Sequence, residues 1–183
     1  MKREENNTPL NSNQIFANSS LSVLPDLRAH LIFWPLVVIG IALDVWSKSA
    51  VFDWLGQHNG SVSIIDGFLR LVMATNDGAA FGLFAGNMGW LIAVSCVALA
   101  AVFAYFLFGG VRQRLVQVAL GFFAAGVCGN LYDRMFNDGL VRDFIDVYYR
   151  QHHWPAFNVA DSMLCIAVGL GVISCFWVPK HSS

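Results

Sequence analysis

The chain has 183 residues, of which 56% are hydrophobic and 13% charged, with a net charge of −1 and a mean hydropathy of +0.56. Soluble domains carry about 25% charged residues, so this composition excludes an ordinary soluble fold and points to an α-helical integral membrane protein. No basic excess exists to attract nucleic acid, and the four cysteines (Cys96, Cys128, Cys165, Cys175) form no C-x-x-C pair, which makes them expected buried free thiols.

Residues 1–28 are polar, rich in Asn and Ser, and expected to be a disordered tail. A single membrane domain is expected over 29–180, with 181–183 as a short C-terminal tail. The apolar stretch 31–43 lies too far from the start for a signal-peptide core, and no small-residue cleavage site follows it. It begins a first span over 31–52, with Asp44 and Lys48 in the far half and Pro35 as a kink position.

The first long loop, 53–86, places SVSII and FLRLVM on either side of Asp66-Gly67, a dipeptide that favours a two-residue hairpin. A second turn signal, TNDG, stands at 75–78. The loop is therefore expected to form a small strand-rich platform on the bilayer surface, between helices 1 and 2. No charge occurs between Asp77 and Arg112, so a second span fits 88–109, closed by Gly109-Gly110 and the basic turn of Arg112 and Arg114.

A third span covers 115–132. Gly121, Ala125 and Gly129 recur at four-residue spacing and allow a neighbouring helix to come close. Gly126, Asn130 and Arg134 form a second stripe by the same period. The second loop, 133–155, carries Tyr148, Tyr149 and Trp154, aromatics suited to the headgroup region. Its greasy part, 145–155, is expected to be a mobile gate or a static interfacial anchor. The fourth span covers 156–178, ending at Pro179 and Lys180.

Four spans put both termini on one side. Lysines and arginines number 6 on that side (Lys2, Arg3, Arg28, Arg112, Arg114, Lys180) and 5 opposite (Lys48, Arg70, Arg134, Arg142, Arg150). Excluding Lys48 and Arg134, which stand beside acids at helical spacing, leaves 6 against 3 and favours cytoplasmic termini.

The chemistry concentrates in 126–162. Asp161 sits inside the fourth apolar run, where an ionisable group is costly and by default a functional candidate. Asp143 precedes it by eighteen residues and shares its membrane face in this topology. Two close carboxylates cannot both ionise readily, so one keeps a proton at neutral pH. The ionised member can take a proton from water while the protonated member donates to a carbonyl, which is the equipment for peptide hydrolysis without a metal. Asp44 and Lys48 have the i, i+4 order of an ion pair and are expected mainly to stabilise each other. Asn130 and Arg134 can hold a peptide backbone or a carboxylate, although an interfacial arginine can equally snorkel. Asn158 and Asp161 share a helix face, and Asn158 also suits a cap. His152 and His153 belong to no H-E-x-x-H motif, so no metal and no cofactor is expected.

Five blocks then resemble one family in order: DVWSK at 44–48, NDGAAFG at 76–82, GNLYDR at 129–134, VRDFID at 141–146 and FNVADS at 157–162. The chain resembles the lipoprotein signal peptidases (signal peptidase II), bacterial intramembrane aspartyl proteases, over about 31–179. The resemblance implies Asp143 and Asp161 as the catalytic dyad, with Asp44, Lys48, Asn76, Gly78, Asn130, Arg134 and Asn158 lining or supporting the site. It implies a substrate that is a prolipoprotein cut just before a diacylglyceryl-modified cysteine. It also implies an inner-membrane location with the site near the periplasmic face, a strand-rich cradle over the cut, contact with membrane lipids and a monomeric enzyme. Ala125 and Val127 depart from the glycine and alanine the family often carries there. A transporter or proton channel relaying through Asp44, Lys48 and Asp161 is the alternative, but no internal repeat supports it. A purely structural role for the charges is a third possibility, and a thiol-redox role lacks paired cysteines.

Overall fold

The structure, a computed structural model, describes residues 24–78 and 84–176. The expected tail at 1–23, the residues 79–82 of the second block, Pro179, Lys180 and the tail 181–183 lie outside the described residues. Eight elements are present among those described: α1 (Leu27–Gly56), β1 (Ser61–Ile65), β2 (Leu69–Asn76), α2 (Met88–Phe108), α3 (Arg114–Phe136), β3 (Val141–Tyr149), β4 (His152–His153) and α4 (Val159–Phe176). All four helices are long and apolar enough to cross a membrane.

Their bounds differ from the apolar runs in informative places. At 30 residues, α1 is about 45 Å long at 1.5 Å per residue. A hydrocarbon core is about 30 Å thick, so this helix tilts or projects beyond it. It starts at Leu27, within the stretch expected as tail, because Asp26 caps it by accepting the Ala29 N–H at 2.7 Å. Arg114, at the start of α3, donates to the same carboxylate at 2.6 and 2.9 Å. That hydrogen bond, foremost, holds the Asp26 carboxyl well below the usual carboxylate range. At the other end, α3 continues to Phe136, which makes Asp133 and Arg134 helical. The fourth helix begins only at Val159, leaving Asn158 to cap it.

The middle helix, α3, holds the bundle together because its small residues admit neighbours on two sides. A Cβ placed on Gly121 would touch Leu36 of α1, and one on Gly129 would run into the Asp44 carboxylate. On another side, a Cβ on Gly126 would stand 2.7 Å from the Ala160 carbonyl oxygen of α4. Small residues matter here because lipid tails give helices no hydrophobic reason to associate, so packing must supply it. The second helix is fastened mainly at one end. Phe33 of α1 stacks on Phe106 at 4.0 Å, and Trp34 stacks on Phe103 at 5.7 Å.

One antiparallel sheet of order β1-β2-β3-β4 covers one end of the bundle. A hairpin forms at Asp66-Gly67, but its loop between the paired Ile65 and Leu69 has three residues, 66–68, instead of the expected two, and Gly67 takes a φ of +78° that suits glycine. The platform is larger than its loop, however. VRDFIDVYY, expected as connector, pairs as β3 with β2 through Arg70↔Asp146 and Ala74↔Asp143. Its β-branched and aromatic residues favour that pleated state. Residues 145–149 of the stretch 145–155 therefore belong to β3, paired with β2 as far as Val147 and with β4 at Tyr148 and Tyr149, which leaves only 150–151 and 154–155 outside the strands. The cysteine expectation is also corrected: Cys96, Cys165 and Cys175 are exposed on the helix exteriors and Cys128 is half-buried, all as free thiols.

Packing at Gly126 yields a direct test. Gly126→Ala forces the new methyl against backbone, and overpacking of this kind costs about 1–3 kcal/mol. Thermal unfolding in detergent should show a lower midpoint for Gly126→Ala. Gly169→Ala, where nothing lies within 4 Å, should leave the midpoint unchanged or higher.

Candidate active site

The site is built on a buried ion cluster. Asp44 and Lys48 on α1 are both 0% exposed, and the Lys48 Nζ lies 2.7 Å from Asp44 Oδ2. The same ammonium is 3.4 Å from Asp133 Oδ2 on α3. Asp133 also accepts the Arg142 backbone N–H at 2.9 Å and the Arg142 guanidinium at 2.7 Å. A further Arg142 N–H donates to Ser49 Oγ at 3.2 Å. The two acids and two bases cancel in charge, which is the usual condition for ions inside a bundle.

This cluster sets both ends of the loop that carries the chemistry. Asp133 grips Arg142 by main chain and side chain, and Arg142 immediately precedes Asp143 on β3. Asp44 Oδ1 accepts the Ala160 N–H at 2.8 Å, in the first turn of α4. In that same turn Asn158 Oδ1 accepts the Asp161 N–H at 3.0 Å, while Asp161 Oδ2 accepts the Asn158 N–H at 3.1 Å. This reciprocal pair is a capping box with aspartate in the third helical position. Three of the free N–H groups at the helix start, those of Asn158, Ala160 and Asp161, thus find side-chain oxygens, and the positive end of the helix dipole faces two carboxylates.

Asn158 joins Asp143 to Asp161. Its Nδ2 donates to Asp143 Oδ1 at 2.6 Å, while its backbone N–H and Oδ1 hold Asp161. Asn130 Nδ2 donates to Asp161 Oδ1 at 2.8 Å, and Asn76 adds a side-chain hydrogen bond to Asp143. Burial first, then the charge of Asp161, push the Asp143 carboxyl up to about 7, although the asparagines and Lys48 pull the other way. At neutral pH the pair therefore has a proton to share.

Arg134 is turned inward rather than snorkelling. It is buried, and donates to the Gly78 carbonyl at 2.8 Å and to the Asn130 carbonyl at 3.4 Å. Its Nε has no hydrogen-bond partner among the described residues. Gly78 itself is placed by an N–H to Asn76 Oδ1 at 2.9 Å, so the expected turn at 75–78 brings β2 to the arginine. A cavity of about 660 Å³ lies between α2 and α4 against α3. Asn76, Asn130, Arg134 and Asp161 supply its polar end, and Leu91, Val94, Val127 and Leu164 are among its apolar walls. Such a space suits a ligand with a peptide part and a greasy part.

Every residue expected from the sequence thus converges on one site: Asp44, Lys48, Asn76, Gly78, Asn130, Arg134, Asp143, Asn158 and Asp161. Three further groups were missed. Asp133 and Arg142 complete the ion cluster, and Asp133 stood three residues after Asn130, a helical spacing that signals the same face. Asp146 ties the sheet together, 2.5 Å from Arg70 Nε and 3.2 Å from His153 Nδ1. Arg70 also lies over the Tyr148 ring at 5.2 Å. Among the described residues, no three His, Cys, Asp or Glu side chains are grouped to hold a metal ion.

A family model described as signal peptidase (SPase) II matches residues 36–177. The chain is 38% identical over 145 residues to the lipoprotein signal peptidase of Geobacter metallireducens, covering 77% of this chain and 88% of that one. It is also 38% identical over 156 residues to the lipoprotein signal peptidase of Serratia proteamaculans, covering 81% and 88%. Two solved bacterial membrane enzyme structures, obtained by the in meso method at 2.3 and 1.9 Å resolution, have TM-scores of 0.68 and 0.65 at 28% identity. They cover 81% and 88% of this chain, and this chain covers 89% and 99% of them.

The cluster should fail when one partner is removed. Asp133→Ala leaves Lys48 and Arg142 without their shared carboxylate, and breaking a buried pair costs about 3–5 kcal/mol. A marked drop in yield and in thermal midpoint is expected. Arg150→Ala, an exposed arginine over the Tyr149 ring, should change neither.

Proposed function

Since the chain belongs to the signal peptidase II family, we propose that it is an aspartic endopeptidase that removes signal peptides from bacterial prolipoproteins, cutting before a diacylglyceryl-modified cysteine. The observation that carries the mechanism is the Asn158 bridge, which brings Asp143 and Asp161 into one hydrogen-bonded unit. The protonated carboxyl donates to the scissile carbonyl and draws electron density from it. The ionised carboxylate removes a proton from water as the water oxygen attacks the carbonyl carbon. The resulting tetrahedral diol collapses when the leaving nitrogen takes a proton from one carboxyl of the dyad and a diol hydroxyl returns its proton to the other carboxylate. The carbon–nitrogen bond then breaks, and the dyad again shares one proton. The pair titrates as a unit, so acid and base are roles of the dyad.

The remaining parts of the site fit this chemistry. Arg134, at the polar end of the cavity, suits a peptide carbonyl near the cut. The apolar cavity wall suits a lipid-modified segment, and Trp154 at the cavity suits the headgroup zone. Of the five cations on the sheet side, Lys48, Arg134 and Arg142 are drawn into the site. Arg70 and Arg150 remain there against six cations on the terminus side. The balance supports cytoplasmic termini and a periplasmic site. The protein works as a monomer in the bacterial inner membrane, with surrounding lipid and its prolipoprotein as partners.

The decisive experiment incubates purified protein in detergent with a diacylglyceryl-modified prolipoprotein and follows the mass of the product. Asp143→Asn and Asp161→Asn should each lower turnover by at least about 1,000-fold, within the range of general acid–base effects, while both still fold. Wild-type turnover by either variant would sink the dyad. The pH profile has a definite sign. Asp143 is neutral below about 7 and ionised above it. The shared proton is thus lost as pH rises, and turnover should fall through about pH 7 on the alkaline side.

A further inference from the structure

Asn130 lies between the buried ion cluster and Asp161, and the two ends of its carboxamide are chemically opposite: Oδ1 only accepts and Nδ2 only donates. Oδ1 receives Lys48 Nζ at 3.0 Å and Asn158 Nδ2 at 3.1 Å. Nδ2 donates to Asp161 Oδ1 at 2.8 Å. Turning the amide over would set an oxygen against the carboxylate, and an NH2 group against an ammonium and a second NH2. All three contacts would become repulsive.

We propose that Lys48 is a positioning residue for the dyad, fixing the orientation of the Asn130 amide so that its N–H holds the Asp161 side chain in place. The inference rests on the dyad assignment above. Lys48 does not touch the cavity, and its side chain is 0% exposed. Its ammonium donates to Asn130 Oδ1 at 3.0 Å and stands 2.7 Å from an Asp44 oxygen and 3.4 Å from an Asp133 oxygen, all away from the space open to substrate. The charged groups around this unit are Asp44 on α1, Asp133 and Arg134 on α3, Arg142 and Asp143 on β3, and Asp161 on α4. Lys48 thus links the neutralised cluster to the reacting carboxylates through one amide. This assigns it a part in catalysis beyond the ion pair expected from its i, i+4 spacing.

Two variants separate orientation from charge. Lys48→Met removes both the donor and a positive charge. The double variant Asp44→Asn/Lys48→Met removes the donor but keeps the net charge, and the new carboxamide can still accept the Ala160 N–H. Both should lower kcat about 10-fold or more, as small misplacements of catalytic groups do, with KM within about twofold. Both should also move the alkaline limb of the kcat profile, which the dyad sets as a unit, because an amide free to turn no longer holds the pair in one geometry. If the limb moves in Lys48→Met but returns to the wild-type position in the double variant, the lysine acts through its charge alone and the proposal is overturned. Wild-type kcat and limb in both variants would overturn it as well. A third measurement needs no change at Lys48. In wild-type protein labelled with 15N-asparagine, the Asn130 side-chain NH2 signal, identified by its absence from Asn130→Ser, should titrate with the midpoint of the alkaline limb. A signal indifferent to that titration means the amide does not face Asp161. Retained turnover in Asp143→Asn or Asp161→Asn would instead refute the dyad, whatever Lys48 does.

Discussion

The Lys48–Asp133 contact, with Asp44 and Arg142 closing it on either side, is the constraint on which the rest depends. Each of these ions costs several kcal/mol to bring out of water, on the order that Born-type penalties leave after relaxation. Mutual neutralisation offsets that cost only if all four are present and correctly placed. The four residues come from α1, α3 and β3, and Asp44 reaches on to the first turn of α4. Satisfying the charges therefore fixes three helices and one strand relative to each other. In lipid, where apolar side chains give helices little reason to choose one neighbour, such a cluster specifies the arrangement more strongly than packing alone.

The same hydrogen bonds that finish the secondary structure also arrange the reactive groups. Asn158 ends the loop and caps α4, as local sequence suggested, yet its Nδ2 reaches Asp143 on the sheet. Asp161 completes the capping box and presents its other oxygen to Asn130. A helix start must find partners for its free N–H groups in any protein. Here those partners are the carboxylates themselves, so the cap cannot loosen without displacing the chemistry.

Legibility in the sequence followed the background against which each residue stood. Asp44, Lys48 and Asp161 interrupt apolar runs and were visible at once, as were the four spans and the Asp66-Gly67 hairpin. Asp133, Arg142 and Asp146 lie in a stretch already rich in charge, where one more ion carries little information. Two of their partnerships, moreover, span long stretches of chain, Asp133 with Lys48 and Asp146 with Arg70. The strand β3 was hidden for a related reason. Aromatic and β-branched residues suit a strand and a headgroup-facing loop equally well, and only pairing with β2 decides between them. Of the stretch 145–155, expected as a mobile gate or a static anchor, 145–149 are strand residues held by β2, β4 and the Phe157 bridge.

The position of the cavity follows from where α2 is not held. Its lower part is locked to α1 by the stacked rings of Phe33 with Phe106 and Trp34 with Phe103, around a core that includes Val102. Its upper part bears Leu91, Val94 and Ser95, which face an open space instead of a fourth helix. Meanwhile the small residues of α3 draw α1 and α4 in close on other sides. A bundle packed tightly on two sides and fastened at one end on the third must gap at the free end, and that end is where Asp161, Asn130 and Arg134 lie. The opening needs no special gate in the sheet. Below that end its walls are mostly apolar down to the level of Cys165 and Ile166, with Ser95 the polar exception on α2. The buried charges stay dry because they sit behind Asn130 and Asn158, and those two amides form the boundary between the structural cluster and the space open to reaction.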